Sequence, residues 1–389
     1  MSKKEVGIGL IGYAFMGKTH SNAYRQVTKF FEPSVTPRLR AICGRNEANV
    51  SRAADQLGWE GYETDWRKLI DRPDIDIVDI STPGNEHREM AIYAANAGKT
   101  VFCEKPLGNS FDDAKAMLDA AEQNKVVNMV CFNYRRVPAI ALAKRMIENG
   151  DLGRIYHFRA RYLQDWIADP NFPLVWRLQK EIAGSGTLGD IGAHILDLST
   201  FLVGKVTSLS GMTETFVKER PLQAETTGTE GLTAKASTEM GQVTVDDAAA
   251  FMARFDNGAM GVFEATRFAP GRRNFNSFEI NGEKGSLAFN FERMNELEYF
   301  NAEDPSDRQG FRTINVNEND QPYSGVYWPA GHIIGYGETF INTVYDLLEG
   351  HAKGESPHAT FRDGAYNNLV LETIEKSAAS KKWEDVPSF

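Results

Sequence analysis

The run Val6-Gly7-Ile8-Gly9-Leu10-Ile11, closed by Gly12-Tyr13-Ala14-Phe15-Met16-Gly17, constrains this chain's architecture more than any other segment. A short stretch of apolar residues and glycines without polar alternation describes a strand buried on both faces, as in parallel sheets covered by helices. From Lys18 onward the order Thr19, His20, Asn22, Ala23, Tyr24 suits a helix. A strand passing into a helix through a glycine-bounded turn opens a βαβ unit. Lys3 and Lys4 ahead of the run give it a superficial likeness to a secretion signal. Its four glycines and the lack of an A-x-A-like cleavage site oppose that reading. It is also far short of the ~20 apolar residues of a membrane span, so a chain with no membrane partner is expected.

Further apolar segments at residues 39–43, 75–80, 100–103 and 126–131 read as strands, with helical patterns at 46–57, 88–97 and 110–124. This alternation predicts a parallel sheet with ligands at the carboxyl ends of its strands. Gly12, Tyr13, Ala14, Phe15, Met16 and Gly17 then hold the place of the G-x-G-x-x-G dinucleotide turn. Ala14 replaces the middle glycine, which should push the pyrophosphate slightly outward. The second strand runs into Gly44 and Arg45, where NAD-preferring folds offer an acidic residue to the ribose. Arg45 suits a 2′-phosphate or an adenine face, and equally an ordinary solvated position, so NAD or NADP is expected with a lean to NADP. Thr82, Pro83, Gly84, Asn85 and His87 form the turn expected over the nicotinamide half. Glu104-Lys105-Pro106 ends the fourth strand, where the following proline keeps Lys105 extended and aims its ammonium toward the crevice.

The second half has a different texture. Residues 155–166, 206–216, 243–255, 259–268, 274–280, 286–291 and 297–300 alternate apolar with polar, and Asp256-Asn257-Gly258 and Asn281-Gly282 mark turns between them. The expected fold is therefore an α/β Rossmann-type dinucleotide-binding domain, residues 1–133, followed by an α+β domain with an open, mainly antiparallel sheet, residues 134–389. Helical patterns at 337–348 and 363–377 could pack back on the first domain. One sheet face should cover the crevice, and the other calls for a second copy, as in a dimeric or tetrameric homo-oligomer. The polar stretch 218–242 is expected to be an exposed loop excursion.

Charge and cysteine content narrow the classes of partner. Among 389 residues, 43 Lys+Arg against 53 Asp+Glu leave a net charge of −10, which disfavours nucleic acid. Three cysteines, Cys43, Cys103 and Cys131, show no C-x-x-C spacing. They suit a reducing compartment, the cytoplasm, and supply no structural zinc set.

A glycine-rich stretch, Gly184-Ser185-Gly186, leads into Asp190-Ile191-Gly192-Ala193-His194. On a helix Asp190 and His194 share a face about one turn apart. Histidine accepts protons near neutrality, and a neighbouring carboxylate can orient it or a substrate hydroxyl; a capping Asp and a buried His give the same spacing. Asp190, His194 and Asp197 could in principle ligate a metal, but H-x-x-x-H and H-E-x-x-H are missing and no metal is expected. The Tyr-x-x-x-Lys pair of short-chain dehydrogenases is missing too, which leaves proton transfer to Lys, His and Asp.

Taken in order, the turn Gly12 to Gly17 with Lys18-Thr19-His20, the Glu104-Lys105-Pro106 motif, and Gly184-Ser185-Gly186 leading to Asp190 and His194 resemble the glucose-fructose oxidoreductase / inositol dehydrogenase / rhizopine-catabolism (Gfo/Idh/MocA) family. The resemblance spans essentially the whole chain. It implies that Lys105, Asp190 and His194 bind and transform the reacting alcohol. Ala14 and Ser185 depart from glycines common in the family and touch cofactor geometry, not a catalytic group. Phe132-Asn133-Tyr134-Arg135-Arg136, Tyr162-Leu163-Gln164-Asp165-Trp166, Trp176-Arg177 and Gly335-Tyr336-Gly337-Glu338 resemble the branch that oxidises anhydrosugars and glycosides. Tyr134, Gln164, Trp166, Trp176, Arg177 and Tyr336 are accordingly the expected sugar contacts. The implied activity is NAD(P)-dependent oxidation of a secondary sugar hydroxyl to a ketone. A cyclitol dehydrogenase, or an NAD(P)-binding regulator without chemistry, are the alternatives. Arg135, Arg136, Arg161 and Arg177 leave room for an anionic substrate, and equally for structural pairing of some of them with carboxylates.

Overall fold

The computed structural model describes residues 3–224 and 235–389. Two compact units emerge. The first runs to Asn133 and takes in Tyr336–Asn368; the second starts at Tyr134, runs to Gly335 and resumes at Leu369–Phe389.

Six strands form the sheet of the first unit: β1 (Glu5–Ile11), β2 (Thr36–Cys43), β3 (Tyr62–Glu63), β4 (Ile77–Ile80), β5 (Thr100–Cys103) and β6 (Asn128–Val130). Every pairing is parallel, in the order β3-β2-β1-β4-β5-β6. Strand addition reverses between β1 and β4, the switch point outside which such sheets bind ligands. Helices α1 (Phe15–Phe30), α2 (Glu47–Leu57), α3 (Trp66–Asp71), α4 (Gly84–Asn96) and α5 (Phe111–Gln123) alternate with the strands. Asn46 and Ser110 cap α2 and α5 by accepting from the N–H groups of Asn49 and Asp113, each worth about 1 kcal/mol. The short β3 and α3 were not expected, being too brief to show a period. The helix Tyr336–Lys353 packs on α1, with Tyr336 stacked on Phe15 at 6.3 Å.

Continuing the numbering, the second unit contains β7 (Ile155–Leu163), β8 (Val206–Glu214), β9 (Glu219–Gln223), β10 (Ala236–Gln242), β11 (Ala248–Phe255), β12 (Met260–Thr266), β13 (Phe275–Gly282), β14 (Gly285–Asn290), β15 (Glu296–Asn301), β16 (Arg312–Asn315) and β17 (Glu384–Asp385). Nine of them make one sheet, ordered β16-β15-β14-β13-β7-β12-β11-β8-β17. Its pairings are antiparallel except β7 with β12. Period-two alternation sorts its faces: Phe158, Phe251, Phe263, Phe278 and Phe289 are buried, with Phe251 and Phe263 stacked at 4.3 Å. Met212, Met252, Met260 and Val262 stand exposed on the other face.

The stretch 218–242, expected as a loop, instead carries the antiparallel ribbon β9-β10; its residues 225–234 lie outside the described ones. A mostly exposed ribbon shows no apolar face, so polarity alone could not separate it from a loop. Among the described residues its buried anchor is Arg220, which donates to the carbonyls of Ile167, Asp169 and Phe172. That fixes the loop following Trp166. No helix among the described residues is long and apolar enough to cross a membrane, and all three cysteines are buried free thiols.

Candidate active site

The expected site residues fall into two sets, one per unit. In the first, the turn after β1 is dictated by close backbone approach. Gly12 adopts φ +107°, and a Cβ there would meet the Ser81 carbonyl oxygen at 2.8 Å; one at Gly17 would meet the Gly12 oxygen at 2.2 Å. Ala14 sits at the N-cap of α1 without a side-chain cap bond, and no acidic residue occupies the first turn. The positive end of α1 is thus fit for a pyrophosphate. Tyr13 lies over Gly44, where a Cβ would strike its ring at 2.0 Å. Arg45 is exposed and 3.5 Å from Glu86, so its charge is shared with a carboxylate.

Pro83 caps α4 and Asn85 is exposed, while Gly84 packs on Asn109. His87 does not face outward. Its Nε2 lies 2.8 Å from the Thr82 carbonyl and its Nδ1 3.1 and 3.2 Å from those of Pro106 and Leu107. Burial lowers its pKa. His87 therefore pins the turn after β4 to the turn after β5, which carries Lys105.

Glu104 is buried, and its Oε2 accepts the Lys105 backbone N–H at 3.0 Å. Its Oε1 is 3.0 Å from Nε2 of His20, whose Nδ1 is 3.0 Å from both Asp79 oxygens. Sequence reasoning named His20 only as part of the motif after the glycine turn and gave neither it nor Asp79 a role; the one further signal was a carboxylate inside the apolar strand β4.

In the second unit, the stretch Leu188–Gly192 is a π-turn in which Ala193 donates to the Leu188 carbonyl, before the helix Ala193–Leu202. Such turns often mark functional positions, and this one offsets Asp190 and His194 from straight α-helical alignment. Asp246 holds the approach: its carboxylate accepts from the N–H groups of Gly186 and Leu188, both at 2.8 Å. A Cβ on Gly186 would meet the Asp246 oxygen at 1.9 Å, which explains that glycine. Buried Arg267 reaches Asp190 at 3.3 Å. Neither Asp246 nor Arg267 was anticipated, because each is distant in sequence from the residues it positions.

Beside His194, Tyr134 makes an edge contact with the imidazole at 4.7 Å between centroids. The Tyr134 and Tyr162 hydroxyls are 2.6 Å apart, Tyr162 donates to Asn274 at 2.7 Å, Gln164 donates to the same oxygen at 3.0 Å, and Trp166 donates to Gln164 at 3.1 Å. Since Tyr162 gives its proton to Asn274, Tyr134 must donate to Tyr162. Burial raises the pKa of Tyr134. Trp166 rests on the apolar cluster of Ile167, Leu174, Val175 and Leu178. The Arg177 guanidinium lies 4.2 Å from the Trp176 ring centre; burial lowers its pKa while Asp190 opposes. Arg135 is not available to a substrate, because it forms a buried ion pair with Asp197 at 2.6 Å. That pair also removes Asp197 from the metal set considered above. Tyr336 lies stacked on Phe15 within the first unit.

Residues 6–132 match the oxidoreductase family with an NAD-binding Rossmann fold, and residues 140–288 match the GFO/IDH/MocA C-terminal domain. The chain belongs to this family. Levoglucosan dehydrogenase of Pseudarthrobacter phenanthrenivorans is 46% identical over 388 residues, 99% of each protein. A crystal structure of an oxidoreductase domain protein from Kribbella flavida matches with TM-score 0.94 and 50% identity over the whole of both chains. Levoglucosan dehydrogenase in complex with NADH and levoglucosan matches with TM-score 0.94 and 46% identity over 99% of this chain and all of that one. The family and fold expected from the motifs are borne out, as is an NAD-binding oxidoreductase.

Proposed function

We propose that this protein is an NAD-dependent dehydrogenase that oxidises a secondary ring hydroxyl of an anhydrosugar or closely related glycoside to a ketone. The observation carrying this is the Asp190–His194 pair set beside a hydrogen-bonded row from Tyr134 to Trp166, in a chain that aligns end to end with levoglucosan dehydrogenase. Aromatic faces with amide and hydroxyl edges are what a sugar's C–H and O–H surfaces require.

NAD, when bound, supplies a hydride acceptor. His194 takes the hydroxyl proton, the Lys105 ammonium stabilises the oxygen as its charge develops, and Asp190 orients the hydroxyl. Gln164, Trp166, Trp176 and Arg177 hold the ring. From the first unit, Gly12 through Gly17, Gly44, Arg45, Thr82, Pro83, Gly84 and Asn85 line the dinucleotide, Tyr336 borders it, and His87 acts by holding the loop of Lys105. Arg45, shared with Glu86, does not reserve the site for a 2′-phosphate. The chain works as a homo-oligomer that covers Met252 and Val262, in a cytoplasm that keeps its thiols reduced.

Reduction of NAD and NADP followed at 340 nm over levoglucosan, simple glycosides and inositols tests this. Levoglucosan or a glycoside should reduce NAD fastest, with activity lost in His194→Ala and Lys105→Ala. Turnover confined to inositols would replace the sugar assignment by a cyclitol one. Tight NADH binding without turnover of any of them would leave only a sensor.

A further inference from the structure

Beneath Lys105 lies a group of ionisable side chains that the proposed chemistry does not use. His20, Asp79 and Glu104 are all buried, and carboxylate oxygens stand 3.0 Å from both ring nitrogens of His20. Each carboxylate already has a second donor: Tyr24 donates to Asp79 at 3.0 Å, and the Lys105 N–H donates to Glu104 at 3.0 Å. The arrangement is best satisfied with both carboxylates ionised as acceptors and His20 donating from both nitrogens as an imidazolium. Its ring lies 5.2 Å from Phe102 in a stacked arrangement and 5.5 Å from Phe340, aromatic surroundings that favour a cation.

We propose that Asp79, His20 and Glu104 form a buried positioning relay that sets Lys105 for its work. The three come from different elements. His20 follows the glycine turn on α1, Asp79 lies near the end of β4, and Glu104 directly follows β5. The relay thus ties the dinucleotide turn to the Lys105 loop across the switch point of the sheet. It carries one net negative charge, which the adjacent Lys105 ammonium balances. This inference rests on the assignment of Lys105 to the chemistry.

Burial and charge pull against each other in this group, and at Asp79 burial prevails, raising its carboxyl above the ordinary value against the opposing charge of His20. Burial, the largest single influence, would lower the pKa of His20, but charge and hydrogen bonding from Asp79 and Cys131 together raise it well above its ordinary value. Burial would raise Glu104, but hydrogen bonding and charge from His20, with the charge of Lys105, hold it below the usual range. The remaining facing groups are thiols. Cys131 Sγ is 3.6 Å from His20 Nε2, and burial, first among the causes, pushes its pKa to about 12 and that of Cys103 well up. The ligand atoms of His20, Glu104 and Cys131 lie within 4.8 Å of one another. A doubly protonated imidazole, however, has no lone pair to give a metal.

Glu104→Gln and His20→Gln, in the full-length protein with NAD and whichever sugar it turns over, test the relay. A relay predicts kcat lowered about 10- to 100-fold through displacement of Lys105, with the KM for sugar and the Kd for NADH, read by fluorescence, within about twofold. Nitrogen-15 NMR of histidine-labelled protein at pH 8 should show two N–H signals that vanish in His20→Gln. Wild-type kcat in Glu104→Gln, a single ring proton on His20, or stoichiometric zinc in the purified protein would each overturn it. If His20→Gln does not fold, Glu104→Gln and the spectrum decide. A Lys105→Ala variant with near-normal kcat would sink the chemistry itself; an inactive one beside a normal Glu104→Gln would sink the relay alone.

Discussion

The guanidinium of Arg267, with no exposed side-chain surface, reaches the carboxylate of Asp190 at 3.3 Å. A buried cation thereby holds the acid of the proposed pair, and the Arg267 Nη2 also lies 3.4 Å from the Asp246 carbonyl that steadies the preceding loop. Arg267→Met should lose on two counts. Stability should fall by roughly 2 kcal/mol, below the range for a wholly buried pair because Asp190 is partly exposed to water. kcat/KM should fall at least about tenfold as Asp190 loses its orientation. Thermal melts and steady-state kinetics check the two separately; unchanged kinetics would remove Arg267 from the site.

Tyr162 stands between Tyr134 and Asn274 as acceptor and donor at once. Tyr162→Phe keeps the ring and removes both bonds, leaving the Tyr134 hydroxyl buried without this acceptor. A cost of about 1–3 kcal/mol is expected. If the row from Tyr134 to Trp166 holds the sugar, as proposed, the KM for sugar should rise more than kcat falls. Equal loss in both constants would point to proton transfer through Tyr134 instead.

The parts of this chain visible in its sequence are those with a local signature. The run Val6 to Gly17 and the alternation of residues 251 to 263 each carry their own period, and Asp190 and His194 lie close in sequence. Residues whose roles come from distant contacts were opaque. Asp246 is about 60 residues from the N–H groups it holds, Arg267 is 77 from Asp190, and His20 is 84 from Glu104. Arg135 shows an alternative that sequence leaves open and structure closes: its charge is spent on Asp197, not kept for an anionic substrate. The β9-β10 ribbon was hidden because an exposed strand pair need not alternate.

Gly17→Ala tests the dinucleotide turn. Its added methyl would stand 2.2 Å from the Gly12 carbonyl oxygen, a contact that only backbone movement relieves. Helix propensity favours alanine by about 1 kcal/mol, so any loss comes from the turn. NADH affinity should drop at least about tenfold, measured by fluorescence titration. Retained affinity would mean that the turn does not seat the pyrophosphate.

Met252 and Val262 are cross-strand partners on the exposed sheet face, each about half exposed. If a second copy covers them, Met252→Glu combined with Val262→Glu places like charges directly opposite one another inside that interface. Light scattering should show an oligomer for the native chain and a smaller species for the double variant. A native chain that is monomeric at micromolar concentration would reject the oligomer.

His20 makes stability depend on pH in a direction that can be worked out. Its folded pKa is raised well above the ordinary 6.5 because, against burial, the Asp79 charge favours the imidazolium. The folded state therefore binds a proton that the unfolded state releases above pH 6.5. The contribution of this group is fully present below that pH and is lost as pH rises toward the folded value, at up to about 1.4 kcal/mol per pH unit. His87 has the opposite sign: burial lowers its pKa, so its contribution is present above pH 6.5 and is lost as pH falls. Denaturant melts of the native chain and His20→Gln from pH 6.5 to 9 should show a steeper decline in the native chain. Parallel curves would mean that His20 carries no extra proton.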